Sequence, residues 1–172
     1  MKLPALRWAA RLPTTFVVNV ATLGPLGRRL PAPGTWGSAA GLLYAWIFFR
    51  TRPWEQTLVW TVLFSLLAVG ICDEAERRLR KSDPGEVVLD EFIVMPLVFM
   101  GATWAFIGVW PEWAVALAGF ALFRLFDILK PFGIARLQRW PGGWGVMADD
   151  FVAALAACAS LHLLAWLAAR FF

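Results

Sequence analysis

The sequence predicts an all-α integral membrane protein, a compact bundle of about five transmembrane helices with a polar site at the cytoplasmic helix ends. Of its 172 residues, 60% are hydrophobic and only 16% are charged, whereas soluble domains typically have about 45–50% and about 25%. This composition excludes an ordinary soluble domain and a disordered chain. The net charge of +4 does not indicate a nucleic-acid partner, because such binding needs a basic face on a soluble fold.

Five stretches are predicted to span the bilayer, since a helix needs about 20 mainly apolar residues to cross the hydrocarbon. Four of them lack Asp, Glu, Lys and Arg, and they lie near 30–49, 56–72, 92–110 and 151–169. The fifth, 113–129, contains Arg124 and Asp127 in its second half. We interpret it as a span whose inner end enters a polar site. A single domain over 1–172 is therefore expected.

The segment before the first span is predicted to lie on the membrane surface. Leu3–Leu12 has the pattern of a short interfacial helix with basic residues towards anionic headgroups. A secretory signal is rejected, because Asn19 and Thr22 interrupt the following apolar run and no small-residue cleavage site follows it. With five spans, thirteen Lys and Arg residues fall on the side of the N-terminus and three on the other. The positive-inside rule then places the N-terminus in the cytoplasm.

Ten of the twelve acidic residues fall on the same predicted inner side. Two doublets, Asp90-Glu91 and Asp149-Asp150, immediately precede apolar stretches, so both are expected at helix starts. Adjacent carboxylates repel each other and are costly to desolvate near a bilayer, and a set of hard oxygen ligands suits Mg²⁺. Alternatively, acids at helix starts complement the macrodipole, for about 0.3–1 kcal/mol each. Two doublets together with Asp127 inside a span favour a metal site.

Two cations accompany these acids. Arg124, Asp127 and Lys130 are spaced i, i+3 and i+6, which places them along one side of a helix that Pro131 terminates. An Arg and a Lys beside a metal form an arrangement that binds phosphate, Arg through bidentate hydrogen bonds and Lys as a point charge. Either cation alone has a simpler interpretation, as a side chain snorkelling at a helix end.

Two glycine-containing segments, 33–38 and 142–145, belong to the same predicted face. Gly34 and Gly143 permit close approach of the backbone to an anion. Amides at a helix start, together with the hydroxyls of Thr35 and Ser38, could bind phosphate oxygens. A turn followed by a helix with Thr35 or Ser38 as its N-cap explains the first segment equally well.

Three motifs in order resemble the phosphatidylglycerophosphatase A family of bacterial membrane lipid phosphatases. They are APGTWGS at 32–38, DPGEVVLDEF at 83–92, and the run from Phe123 to the GGWGVMADD segment at 142–150. Val94 and Gly133 depart from the family pattern, where Gly and Pro are expected. The resemblance implies Mg²⁺-dependent hydrolysis of phosphatidylglycerophosphate to phosphatidylglycerol and phosphate, in bacterial glycerophospholipid biosynthesis. It also implies a multi-pass protein of the bacterial inner membrane with a cytoplasmic active site.

On this resemblance, Asp90, Glu91, Asp149 and Asp150 are expected to hold Mg²⁺. Arg124 and Lys130 are expected to bind phosphate oxygens, assisted by the 33–38 and 142–145 segments. The nucleophile is either a water molecule or a carboxylate such as Asp127. The expected partners are the lipid substrate and the bilayer, with no obligatory protein partner. The alternatives are another enzyme that processes lipid phosphates, or a small transporter or channel, which would need a polar path that the outer halves of the spans lack.

Overall fold

The computed structural model describes residues 6–102 and 110–171. All regular secondary structure in these residues is helical, which confirms the predicted all-α class. The α-helices are α1 (Thr14–Ala21), α2 (Pro25–Arg29), α3 (Pro33–Phe48), α4 (Trp54–Leu79), α5 (Leu89–Val98), α6 (Glu112–Leu129) and α7 (Gly143–Phe171), with 3-10 helices at Arg7–Arg11 and Pro131–Arg139.

Prolines mark the start of most of these helices. Proline is the first residue of α2 and α3, and it immediately precedes α1, α4 and α6. Its fixed φ suits the first helical turn, where the missing N–H would have no intrahelical partner in any case. Local chain chemistry therefore sets these helix starts.

The short helix α5 lies at the centre of the bundle and packs against α3, α4, α6 and α7. Its second half is fully buried, including Val94, Met95 and Leu97. The contact with α3 is close because Gly41 has no side chain, and a Cβ there would lie 2.8 Å from the Phe92 carbonyl oxygen. The core is thus built around α5, whose first turn carries one acidic doublet.

Two helices are long and apolar enough to cross a membrane, Trp54–Leu79 and Gly143–Arg170, with mean hydropathies of 1.7 and 2.0. They contain the predicted spans 56–72 and 151–169 but extend well beyond them. Helix α6 closely matches the predicted span 113–129 but carries three charged residues, and α3 has only 16 residues. The structure thus supports a membrane protein and leaves the five-span bundle unconfirmed.

The prediction of one helix over 92–110 is wrong. Helix α5 begins at Leu89 and ends at Val98, and Gly101 follows with φ +77°. Pro96 lies inside α5, where it cannot donate a backbone hydrogen bond and its ring clashes with the preceding turn. The rest of the predicted span, residues 103–109, lies outside the described part of the chain.

The N-terminal region is more structured than predicted. Residues 1–5 of the expected interfacial helix Leu3–Leu12 lie outside the described residues, and the remainder forms the 3-10 helix Arg7–Arg11. This helix packs on α4, where the Trp8 indole lies directly over Gly70. Helices α1 and α2, which pack on α4 and α3, were not expected.

The two ends of the bundle differ in composition. One end gathers the starts of α3, α5 and α7 with the ends of α4 and α6, as the contacts described below show. At the opposite end, Arg50 after α3 pairs with Glu112 at the start of α6, 3.0 Å apart. The predicted segregation of acidic residues to one set of helix ends is therefore present, and its orientation in a membrane stays a prediction.

Candidate active site

Three carboxylates from three helices converge at the acidic end of the bundle. Glu91 of α5, Asp127 of α6 and Asp150 of α7 each present an oxygen atom within 4.8 Å of the others. All three side chains are largely shielded from solvent. Oxygen ligands of this kind suit Mg²⁺. Two of the predicted metal ligands are thus brought together, joined by Asp127, which the sequence placed in the polar site without naming it as a metal ligand.

The other two predicted ligands, Asp90 and Asp149, flank this cluster. They are 6% and 3% exposed, and in each the Oδ1 atom is buried without a hydrogen-bond partner. A buried acceptor without a donor costs about 1–3 kcal/mol. A bound cation would compensate these atoms, so the donor set fits a divalent metal ion.

The two doublets occupy different positions in their helices. Asp90 and Glu91 lie in the first turn of α5, as predicted. Asp149 and Asp150 lie in the second turn of α7, because the helix already begins at Gly143, so the expectation that this doublet stands at a helix start is wrong. The macrodipole effect is confined to the first turn and therefore does not account for it.

Arg124 joins three elements. Its Nη1 atom lies 3.0 Å from Glu91 Oε1, 2.8 Å from Asp127 Oδ2 and 3.2 Å from Ser38 Oγ. Because its side chain is only 17% exposed and its Nη1 atom contacts two carboxylates and a hydroxyl, simple snorkelling does not explain it.

Lys130 caps the end of α6 and completes the cationic part of the site. Its backbone is left-handed with φ +43°, immediately before Pro131. The ammonium group pairs with Asp149 and lies 3.9 Å from Asp127 Oδ1. The predicted placement of Arg124, Asp127 and Lys130 on one side of the helix is confirmed.

Burial shifts the pKa values of several groups at the acidic end of the bundle. It raises the pKa of Glu91 to about 7, although Arg124 acts in the opposite direction. Burial and the neighbouring Glu91 raise the pKa of Asp90. Burial lowers the pKa of Lys130, but the hydrogen bond and charge of Asp149 outweigh it, so the net shift is upward. The charged form of Lys130 is therefore favoured, while burial favours the protonated forms of Glu91 and Asp90 unless a bound cation compensates their charge.

The first glycine segment forms the start of α3. The helix begins at Pro33 with Ala32 as its N-cap and without a side-chain capping bond, so the N-cap alternative is wrong. Ser38 is buried; its Oγ donates to the Gly34 carbonyl at 2.8 Å and lies 3.5 Å from Glu91 Oε2. A Cβ on Gly34 would collide with the Glu91 carboxylate. The missing side chain of Gly34 thus makes room for the Glu91 carboxylate. Thr35, the other predicted phosphate-binding hydroxyl of this segment, is exposed.

The second glycine segment has a packing role. A Cβ on Gly143 would collide with the Val69 carbonyl oxygen and lie 2.7 Å from the Asp73 backbone nitrogen. Gly143 therefore allows α7 to start directly against α4. The structure explains this glycine without a phosphate, and its predicted contact with phosphate stays a prediction.

The single histidine is remote from this chemistry in sequence and in contacts. His162 Nδ1 lies 2.9 Å from the Cys158 carbonyl oxygen on the same helix, and a Cβ on Gly101 would lie 3.3 Å from its Nε2. The Cys158 thiol donates to the Met100 carbonyl oxygen at 3.6 Å. These contacts indicate a structural role for His162, beside the end of α5.

Comparison with known proteins shows to which family this chain is similar. The family model for phosphatidylglycerophosphatase A matches residues 19–165. A Haemophilus influenzae protein named phosphatidylglycerophosphatase A is 38% identical over 126 residues, covering 73% of this chain and 74% of the relative. An Escherichia coli protein of the same name is 31% identical over 133 residues, covering 77% and 73%.

A third relative bears a different name. A Bacteroides thetaiotaomicron protein, provisionally named phosphatidylinositol-3-phosphatase, is 31% identical over 151 residues, covering 78% of this chain and 84% of the relative. No solved structure matches. Because the family model matches most of its length and two relatives exceed 30% identity, the chain belongs to the phosphatidylglycerophosphatase A family.

Proposed function

We propose that this protein hydrolyses phosphatidylglycerophosphate to phosphatidylglycerol and inorganic phosphate with the help of Mg²⁺. The observation that carries the proposal is the Glu91, Asp127 and Asp150 cluster with Arg124 beside it, in a member of this family. Uncatalysed hydrolysis of phosphate monoesters is so slow that enzymes supply up to about 10²¹-fold. Positioning and charge neutralisation must provide most of this acceleration.

The carboxylates and the cations have separate proposed roles. The metal ligands are Glu91, Asp127 and Asp150 together with Asp90 and Asp149, and Mg²⁺ held by this acidic set would neutralise charge and lower the pKa of a water molecule. Arg124 shares its guanidinium between Glu91 and Asp127 and turns its free N–H groups to the non-bridging phosphate oxygens. Lys130, held by Asp149, adds a point charge. Gly34, Thr35, Ser38 and Gly143 assist from the starts of α3 and α7.

Water is the proposed nucleophile. Its oxygen attacks phosphorus and keeps one hydrogen as part of the phosphate, the bond from phosphorus to the glycerol oxygen breaks, and the leaving oxygen takes up the proton that the water gives up. Asp127 is a poor alternative, because two cations already hold its carboxylate. Rapid acid quenching distinguishes the two routes: a phosphorylated aspartate would exclude direct attack by water.

The lipid substrate reaches the site from the bilayer. Helices α4 and α7 are apolar enough to cross a membrane, so a diacyl lipid needs only to bring its headgroup to the acidic helix ends. We place the N-terminus and this site on the cytoplasmic side of the bacterial inner membrane, in a single domain over 1–172 that acts in glycerophospholipid synthesis. A related lipid phosphate is the second candidate substrate, because one relative is named for phosphatidylinositol 3-phosphate.

The decisive experiment measures phosphate release from synthetic phosphatidylglycerophosphate by the full chain in detergent micelles. We expect release that needs Mg²⁺ and falls by about 10²–10³-fold in Asp150→Asn, the range for loss of a group that stabilises the transition state. The control Glu112→Gln, at the opposite end, should retain full activity. Full activity in EDTA would contradict the metal, and release only from another lipid phosphate would change the substrate. Inactivity on every lipid phosphate would overturn the enzyme proposal.

A further inference from the structure

We propose that the acidic end of the bundle binds two divalent cations. Glu91, Asp127 and Asp150 hold the first, and Asp90 and Asp149 hold the second. The inference rests on the proposed function for its phosphate substrate, but the metal count can be measured independently of any substrate.

The geometry of the doublets suggests two centres. Neighbouring residues on an α-helix point about 100° apart, so the two carboxylates of one doublet face different directions. Glu91 and Asp150, one from each doublet, converge with Asp127 within 4.8 Å. The remaining members, Asp90 and Asp149, lie outside that triad, yet their charges act on each other.

Unpartnered oxygens mark the second centre. Asp90 and Asp149 are 94% and 97% buried, since only 6% and 3% of their surfaces are exposed, and the Oδ1 atom of each lacks a hydrogen-bond partner. Lys130 binds the other oxygen of Asp149 and leaves Oδ1 free. An ion held only by the triad would leave both atoms uncompensated. Because Mg²⁺ is usually bound through one or two carboxylates plus water and substrate phosphate, two aspartates suffice.

Charge balance favours the same count. Five ionised carboxylates and a doubly charged phosphate would face two cations, Arg124 and Lys130, in the described part of the chain. One divalent ion would leave about three uncompensated negative charges, and a second ion would leave about one, in a setting where desolvated charge is expensive. Paired ions about 3.5–4 Å apart also stabilise the attacking and leaving oxygens of a displacement at phosphorus.

The test is a titration of the metal-free full chain with Mn²⁺ in detergent, followed by electron paramagnetic resonance without substrate. We expect two Mn²⁺ per chain and a spin-coupled spectrum. Asp90→Asn should bind one Mn²⁺ with an uncoupled spectrum, and Asp149→Asn provides a second variant should the first fail to fold. The control Glu112→Gln should bind two.

The result that would overturn the inference is one Mn²⁺ per wild-type chain, or an unchanged count in the two aspartate variants. Hydrolysis of phosphatidylglycerophosphate by a protein with one bound ion would preserve the proposed function and refute the second site. Two coupled ions in a protein without phosphatase activity would do the reverse.

Discussion

Arg124 is the residue whose removal should affect this protein most through electrostatics alone. Its guanidinium lies 3.0 Å from Glu91 and 2.8 Å from Asp127, and the three side chains are only 17%, 12% and 11% exposed. Replacement by glutamine leaves the buried Glu91 carboxylate without a cation and leaves Asp127 with Lys130 alone, 3.9 Å from its Oδ1. Breaking a buried ion pair by removing one partner typically costs about 3–5 kcal/mol, and we expect Arg124→Gln to lower the free energy of unfolding of the metal-free protein by this amount.

A double-mutant cycle separates the ion pair from lost packing. Removing both partners of a buried pair is often close to neutral, so adding Glu91→Gln to Arg124→Gln should recover part of the loss, with a coupling energy of about 2 kcal/mol, within the range for contacting residues. The matched control is Arg50→Gln. Its pair with Glu112 is 44% and 60% exposed, and such pairs contribute about 0–1 kcal/mol.

The assay is reversible unfolding in mixed micelles without divalent metal, at a pH above 7 where Glu91 is ionised. Mg²⁺ should restore much of the stability lost in Arg124→Gln, because the proposed metal site uses the same carboxylates. The reasoning is refuted if Arg124→Gln costs no more than Arg50→Gln, or if the effects of the two site mutations simply add.

Three further perturbations have defined outcomes. Because the pKa of Glu91 is raised to about 7 in the folded state, its stabilising contribution is present at low pH, and the unfolding free energy of the metal-free protein should fall between about pH 4.5 and 7. Gly37→Ala places a Cβ 2.8 Å from Glu91 Oε2; it should lower the free energy of unfolding by about 1–3 kcal/mol and remove most of the activity. In the control Gly85→Ala the new Cβ enters open space, so stability and activity should not change. Ser38→Ala removes a buried hydrogen-bonding hydroxyl and should lower thermal stability by about 1 kcal/mol, while exposed Thr35→Ala should not.

For each of these three expectations, one result would contradict the reasoning. Metal-free stability that rises across this pH range would show that Glu91 is ionised at low pH. Equal stability and activity in the Gly37 and Gly85 variants would mean that α3 and α5 are less closely packed than described. Equal thermal stability in the Ser38 and Thr35 variants would remove the structural role of the buried hydroxyl.

The parts of the site that the sequence predicted well depend on local geometry. Arg124, Asp127 and Lys130 share one side of α6 because helical periodicity alone decides it. The meeting of Glu91 and Asp150 at one end was predictable from charge, since buried acids in an apolar chain gather where cations can compensate them.

The parts that the sequence missed depend on tertiary contacts. The sequence places the start of α7 too late, because the Asp149-Asp150 doublet interrupts the apolar run. In the structure this doublet lies inside α7, where Lys130 from the end of α6 pairs with Asp149. The early end of α5 lies shortly before Gly101, whose φ of +77° a count of apolar residues does not weigh. The sequence predicts that Gly34 binds an anion. In the structure Gly34 instead makes room for the Glu91 side chain, and a contact between segments so far apart in the chain is not visible in the sequence.

The shortness of α5 affects how the site responds to the bilayer around it. Its ten residues extend about 15 Å, whereas α4 and α7, with 26 and 29 residues, extend about 39 and 43 Å. A membrane that thickens or thins is accommodated by tilting of long helices, and α4 and α7 can tilt in this way. Helix α5 reaches only about half of the hydrocarbon thickness, and α3 and Arg124 hold its acidic end. Because Asp150 lies on α7 and Glu91 on α5, we expect a change in bilayer thickness to alter the distance between these two carboxylates, so that lipid composition would act on the site through α7.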